Sequence, residues 1–140
     1  MAGYSGTPLP QKLGIKPGLI VVTINAPTNY RSLLSTFPES VPFSDRLKPG
    51  SSFVHIFVRK RSELEKRLSV SRKKIADTGI VWVSWPKGSS GVPTDVTEDV
   101  IRAVALPLGF VDVKVCAIDK IWSGLKLVIR REQRVRHQEK

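Results

Sequence analysis

The stretch best suited to chemistry is Lys87-Gly88-Ser89-Ser90-Gly91, which leads through Val92-Pro93-Thr94-Asp95 into a helix-forming segment. Small residues expose backbone N–H groups, a helix start is electropositive and a lysine adds a full charge, so the loop could hold a phosphate or a carboxylate. It lacks the G-x-x-x-x-G-K-[ST] spacing of a phosphate-binding P-loop, which leaves an ordinary connection as the competing reading. Thr94, Asp95 and Glu98 are explained by helix capping before acid catalysis. His55 lies inside an apolar run and reads as a hydrogen-bonded core histidine rather than a general base. Cys116 has no histidine beside it in sequence and reads as packing. It is the only cysteine, and His55 and His137 lie far apart, so the sequence offers no metal cluster and no catalytic group. Trp82 and Trp85 point to opposite faces of one strand; Trp85, at the strand's end, is the better candidate for stacking on a ligand ring.

The formal charge of +11 is concentrated in two places. Residues 59–74 hold eight lysines and arginines against two glutamates, and residues 126–140 hold six against two. Arg59, Lys60, Arg61, Arg72, Lys73 and Lys74 are therefore the candidate contacts for a polyanion, either nucleic acid or an acidic protein, through a basic helix and a basic tail. No aromatic residue interleaves with these bases, so charge alone carries that reading. A solvated helix face is the alternative.

The elements that must position these groups follow from hydrophobic period and punctuation. Residues 19–24, 53–58 and 80–85 are short apolar runs rich in β-branched residues, the pattern of strands buried on both faces. Between them, residues 30–36 could make two helical turns, and 41–47 is at most an edge strand because of Pro42. The spacing of Leu64, Leu68 and Ile75 predicts a helix, with Ser62-Glu63-Leu64-Glu65 as its capping box and Asp77-Thr78-Gly79 as its stop. A further helix is expected after a Thr94 or Asp95 cap, with Val96, Val100, Ala103 and Val104 as its buried stripe. Residues 110–118 and 124–130 then read as an antiparallel pair.

Strands separated by helices imply a parallel sheet covered on both faces. The expected fold is a small Rossmann-like α/β three-layer sandwich, mostly parallel, with a closing antiparallel strand pair. It would span residues 19–130, preceded by an extended arm (1–18) packed on the domain and followed by a basic tail (131–140). In such a sheet a ligand sits beyond the carboxyl ends of the strands, which nominates Asn25 to Asn29, Arg59 to Arg61 and Trp85 to Asp95. The residues expected to bind are Asn25, Asn29, Trp85, Lys87, Ser89, Ser90, Gly91, Thr94 and Asp95, and their ligand an anionic small molecule. The absence of a membrane-length apolar run and of a basic, apolar leader at Met1-Ala2-Gly3 leads to the expectation of a cytoplasmic protein.

Two resemblances add to this. Gly3-Tyr4-Ser5-Gly6-Thr7-Pro8-Leu9, Lys12-Leu13-Gly14-Ile15-Lys16-Pro17-Gly18, Trp85-Pro86-Lys87, Asp112-Val113-Lys114-Val115-Cys116-Ala117 and Trp122-Ser123-Gly124-Leu125 together resemble a small bacterial domain family of unknown function. The order of elements and the closing strand pair are similar to the S-adenosylmethionine-dependent methyltransferase fold. That resemblance implies a cofactor site after the first strand, built on a glycine-rich acidic motif, and an acidic residue ending the second strand. Here the first place reads Ile24-Asn25-Ala26-Pro27-Thr28, without glycine, and the second can only be Asp45. The missing glycines lead to the expectation of no cofactor, S-adenosylmethionine being the candidate if there is one. The resulting reading is a non-catalytic module that binds an anionic ligand. The alternatives are a divergent S-adenosylmethionine-dependent methyltransferase and a nucleic-acid-binding accessory protein.

Overall fold

A computed structural model describes residues 7–34 and 41–134. Six strands form one sheet in the order β2-β1-β3-β4-β6-β5: β1 (Val21–Ile24), β2 (Phe43–Ser44), β3 (Ser51–Phe57), β4 (Ile75–Pro86), β5 (Phe110–Ala117) and β6 (Trp122–Ile129). β2, β1, β3 and β4 pair in parallel, and β6 runs antiparallel to both β4 and β5. The Rossmann-like α/β reading is thus observed, with the antiparallel strand inserted inside the sheet and β5 at its edge.

Helices α3 (Arg61–Lys74) and α4 (Glu98–Ala105) cover one face, and α1 (Leu9–Leu13) and α2 (Tyr30–Leu33) the other. The period of two in β3 explains the sorting. Val54 and Ile56 face Leu64, Leu68, Ile101 and Ala105, while Phe53, His55 and Phe57 face Leu13, Tyr30 and Leu34. The same alternation places Trp82 and Trp85 on opposite faces, and both are buried.

Several local expectations are corrected. Within residues 7–18, the described part of the arm, the breakers do not keep the chain extended: Pro8 is the N-cap of α1, Pro10 sits in its first turn, where proline costs no hydrogen bond, and Gly14 ends it at φ 85°. The Trp82 indole N–H donates to the Leu13 carbonyl at 2.8 Å and ties this helix to the core. Ser62 does not cap α3. Lys60 holds the extended N-cap position, and the Asp95 carboxylate accepts from the Arg61 N–H at 2.7 Å across 34 residues of chain. Asp77-Thr78-Gly79 does not stop the helix either. Gly50 N–H takes up the Lys74 carbonyl and Ile75 pairs with Ser51, so the chain passes directly from α3 into β4, and residues 76–79 lie in a register irregularity inside that strand. α4 starts at Thr97, whose hydroxyl accepts from the Val100 N–H. Its buried residues are Ile101 and Ala105, with Ala103 exposed.

On the α1/α2 face a polar chain crosses the core. The Tyr30 hydroxyl meets His55 Nδ1 at 2.8 Å, and His55 Nε2 meets the Ser84 hydroxyl at 2.7 Å. The imidazole stacks on Phe57 with ring centroids 4.3 Å apart. Burial lowers the pKa of His55 from 6.5 to about 3 and pushes the Tyr30 phenol upward, so both stay neutral at physiological pH.

α4 adds a charged seam. Arg102 reaches Glu98 and Asp99 on its own helix and Asp112 on β5, the last at 2.9 Å, and it holds the Asp112 carboxyl below the usual carboxylate range. No helix among the described residues is long and apolar enough to cross a membrane.

Candidate functional site

Chain order reverses at β1: the next strand, β2, lies on one side of it and β3 on the other. The carboxyl ends of β1 and β3 therefore flank a switch point, the place where open α/β sheets open a crevice for ligands. Two adjoining cavities lie at the end of β1, one on its β2 side and one on its β3 side, and share Ala26 and Pro27 as their divider.

The first, about 560 Å³, lies between β1 and β2 and is lined by Thr23, Thr28, Ser44, Asp45 and two arginines, Arg31 and Arg46. The Arg31 guanidinium packs over the Phe43 ring at 4.3 Å from its centroid. Asp45 follows β2 directly and is exposed. The second cavity, about 600 Å³, lies between β1 and β3, with Phe57, Ile121 and Trp122 on its apolar side and Asn25, Arg59 and Glu63 on its polar side. Arg59 and Glu63 also line a third cavity, of similar volume, whose far wall is Thr94 and Asp95.

The divider is set by one residue. Asn25, which ends β1, has φ 61°, and among the described residues it is the only one other than glycine with positive φ. Asparagine tolerates this left-handed conformation better than most residues because its short polar side chain bonds locally. Here the side-chain amide donates to Glu63 Oε2 at the start of α3. The turn that glycine would ordinarily make is thus made by asparagine, anchored by a glutamate from the neighbouring element.

The other nominated loops also converge, though in different roles. The Thr94 hydroxyl donates to the Arg59 carbonyl at 2.6 Å, and Asp95 holds both Arg59 and Arg61 backbone groups. Thr94 and Asp95 therefore brace the end of β3 in addition to lining a cavity. Replacing Asp95 with alanine should remove the only side-chain cap of α3 and lower stability by about 1 kcal/mol in urea unfolding. An unchanged midpoint would mean that solvent caps the helix equally well. Asn29 is exposed at the start of α2 and makes no side-chain cap.

Trp85 is corrected as a stacking candidate: it is 8% exposed and belongs to the core on the α3/α4 face. The aromatic that does reach the crevice is Trp122, edge-on to Phe57 at 5.0 Å. The Lys87 loop is corrected too. Gly88–Ser90 forms a 3-10 turn closed by Gly91 at φ 76°, and the Ser90 hydroxyl accepts from the Val92 N–H. Neither Lys87, Ser89, Ser90 nor Gly91 lines the switch-point cavities. Its small residues serve the tight turn, and the Lys87 N–H is spent on the Ile121 carbonyl.

The basic helix is partly consumed by the fold. Arg72 donates to the Leu108 and Gln133 carbonyls, Lys74 to the Leu47 carbonyl, and Arg61 pairs with Glu65. Arg72 and Lys74 are therefore tied to the fold, which corrects their assignment as free polyanion contacts, whereas Arg61 stays exposed in a surface i,i+4 pair. Arg59, Lys60 and Lys73 are exposed. The end of the basic tail, residues 135–140, lies outside the described residues, as do 1–6 and 35–40.

The residues missed as site members are Thr23, Arg31, Arg46, Glu63 and Trp122. For Glu63 the signal was misassigned to a capping box. For Trp122 it was present only as a position next to the closing strand pair, whose pairing with β4 brings it to the crevice.

No protein-family model matches the chain, and no curated protein sequence matches it, so the resemblance to the small bacterial family gains no support. Solved structures do match. A candidate type 11 methyltransferase from Sulfolobus solfataricus is similar with a TM-score of 0.60 and 16% identity, over 89% of this chain and 91% of that one. A ribosomal protein L11 methylase from Lactobacillus delbrueckii subsp. bulgaricus gives 0.54 and 8%, over 86% and 74%. LepI in complex with S-adenosylmethionine gives 0.53 and 12%, over 87% of this chain and 39% of that one. The methyltransferase-like Rossmann fold is therefore shown. A shared fold does not by itself assign an activity. The expectation of no cofactor is corrected by the same comparison: the structures that share this fold include LepI in complex with S-adenosylmethionine.

Proposed function

We propose that this chain binds S-adenosylmethionine at the carboxyl end of β1, in the cavity on its β2 side, and is a small methyltransferase. The observation that carries the reading is the left-handed turn at Asn25, which opens the end of β1 between two cavities of the size that small ligands fill. Asp45 supplies the acceptor that a ribose diol needs, since an ionised carboxylate offers two oxygens to two hydroxyl donors. Thr23 and Ser44 add neutral polar groups beside it, and Ala26, Pro27 and Thr28, which line the same cavity, put no long side chain between backbone and ligand. Arg31 and Arg46 in the same wall suit the ligand's carboxylate. When bound, the cofactor supplies an electrophilic methyl group on a sulfonium. What the chain contributes is position, through a sheet whose ends are rigid, and exclusion of water, through Phe57 and Trp122.

The test is calorimetric titration with S-adenosylhomocysteine, paired with thermal unfolding. Binding should raise the midpoint by mass action, by several degrees at a ligand concentration about 100 times Kd. Replacing Asp45 with alanine should weaken binding about tenfold or more, the worth of a hydrogen bond to a charged group. No heat and no thermal shift at millimolar ligand would remove the reading.

A further inference from the structure

The second cavity is more than the far wall of the first, because its two sides differ in chemistry and each is held rigid. On one side, Asp119 Oδ1 accepts from the Ile121 and Trp122 N–H groups, at 2.9 and 2.8 Å. The Ile121 carbonyl takes the Lys87 N–H, and the Trp122 carbonyl takes that of Ile118. Four hydrogen bonds thus fix a turn whose product is two apolar side chains at the rim. Ile121 is 41% exposed there, a large apolar residue left in water. On the other side, the Arg59 backbone is clamped by Thr94 and Asp95, which leaves its guanidinium between two cavities and, among the described residues, without an acid partner.

The acids nearby are already occupied. Glu63 accepts from Asn25 and lies 3.9 Å from the Arg67 guanidinium, and Asp95 accepts the Arg61 N–H. Lys60 adds a further exposed base to the third cavity, which Arg59 and Glu63 share with the second. Arg59 and Lys60 are matched in number by Glu63 and Asp95, so what singles out Arg59 is that its guanidinium pairs with neither carboxylate, beside an apolar wall.

We infer that this cavity binds the second substrate, and that the substrate is a small planar molecule with an apolar ring and one anionic group: the ring against Trp122 and Ile121, the anion on Arg59. Calling it the methyl acceptor rests on the reading above; the binding itself does not. A flat ring gains from an aromatic wall, and a carboxylate matches the planar fork of a guanidinium.

The experiment uses benzoate and its neutral counterpart benzyl alcohol as probes of the 15N-labelled protein. Trp82 and Trp85 are buried, so the indole N–H resonance of Trp122 reports the cavity. Benzoate should shift that resonance and bind about tenfold or more tightly than benzyl alcohol. Arg59→Gln should reduce benzoate to the level of the alcohol without unfolding the protein, because the backbone of Arg59, not its side chain, carries the structural hydrogen bonds. Trp122→Ala should weaken both probes. Equal affinity for the two probes, a preference that survives Arg59→Gln, or shifts that bypass Trp122 would each overturn the inference. Titrating S-adenosylhomocysteine into the same sample, followed at the Thr23 and Asp45 amides, separates the two failures. Cofactor shifts without benzoate preference overturn the substrate class alone. Benzoate preference without cofactor shifts leaves the anion site and overturns the methyltransferase reading.

Discussion

Replacing His55 with alanine should lower the free energy of unfolding by about 4 kcal/mol, the largest effect expected of any single polar residue in this chain. The imidazole is fully buried, fills space between Tyr30, Phe57 and Trp82, and satisfies two hydroxyls at once. Its loss leaves a cavity together with an orphaned phenol on α2 and an orphaned serine on β4. Urea unfolding should show this as a lower midpoint with unchanged slope, and heating as a drop of roughly 10 °C. The triple change Tyr30→Phe, His55→Leu, Ser84→Ala should recover much of the loss, because an apolar trio leaves no group unpaired. Additive single-site costs would show that the three side chains do not act as one network.

The same histidine sets a pH dependence. It titrates near 3 in the folded protein and near 6.5 when unfolded, so below 6.5 only the unfolded chain takes up its proton. Stability is complete above that pH and falls as the pH drops from 6.5 toward 3, by roughly tenfold per pH unit in the folding equilibrium. The triple variant should lose this slope, while the contribution of Asp112, whose carboxyl is held below its ordinary range by the hydrogen bond from Arg102, remains in both proteins. Equal slopes between pH 6 and 4 would mean that another group titrates there.

The sheet was legible because buried strands write continuous apolar runs, and every one of those runs became a strand. What period cannot register is pairing across long separations. Asp95 looked like the cap of the helix that follows it and instead caps the helix before it, because the two loops meet at the end of β3. Glu63 looked like half of a capping box and instead anchors Asn25. Trp85 and Trp122 exchanged roles for a related reason. A strand's last residue is exposed only if no helix covers it, and α4 packs over Trp85 while the β4–β6 pairing lifts Trp122 to the crevice. The place of the cavities at the strand ends was therefore readable, and their lining was not.

The absent glycines misled for a different reason: a motif records residue types, whereas a ligand meets backbone angles. That distinction can be tested at Asn25. Asn25→Gly should keep the turn, since glycine reaches φ 61° without cost, and should bind S-adenosylhomocysteine within about threefold of the parent protein. Asn25→Val cannot. A β-branched side chain in the left-handed region costs roughly 1–2 kcal/mol or more, and it also loses the bond to Glu63. The chain relieves that strain by returning to negative φ, which swings Ala26 and Pro27 into the space they now divide. Binding should fall about a hundredfold, measured by calorimetry at a temperature where circular dichroism shows the variant still folded. Glu63→Gln separates anchor from angle: its amide oxygen still accepts from Asn25, so it should bind nearly as the parent does. Parent-like binding by the valine variant would mean that the left-handed turn is not what admits the ligand, and the cofactor site would then have to lie elsewhere along the sheet.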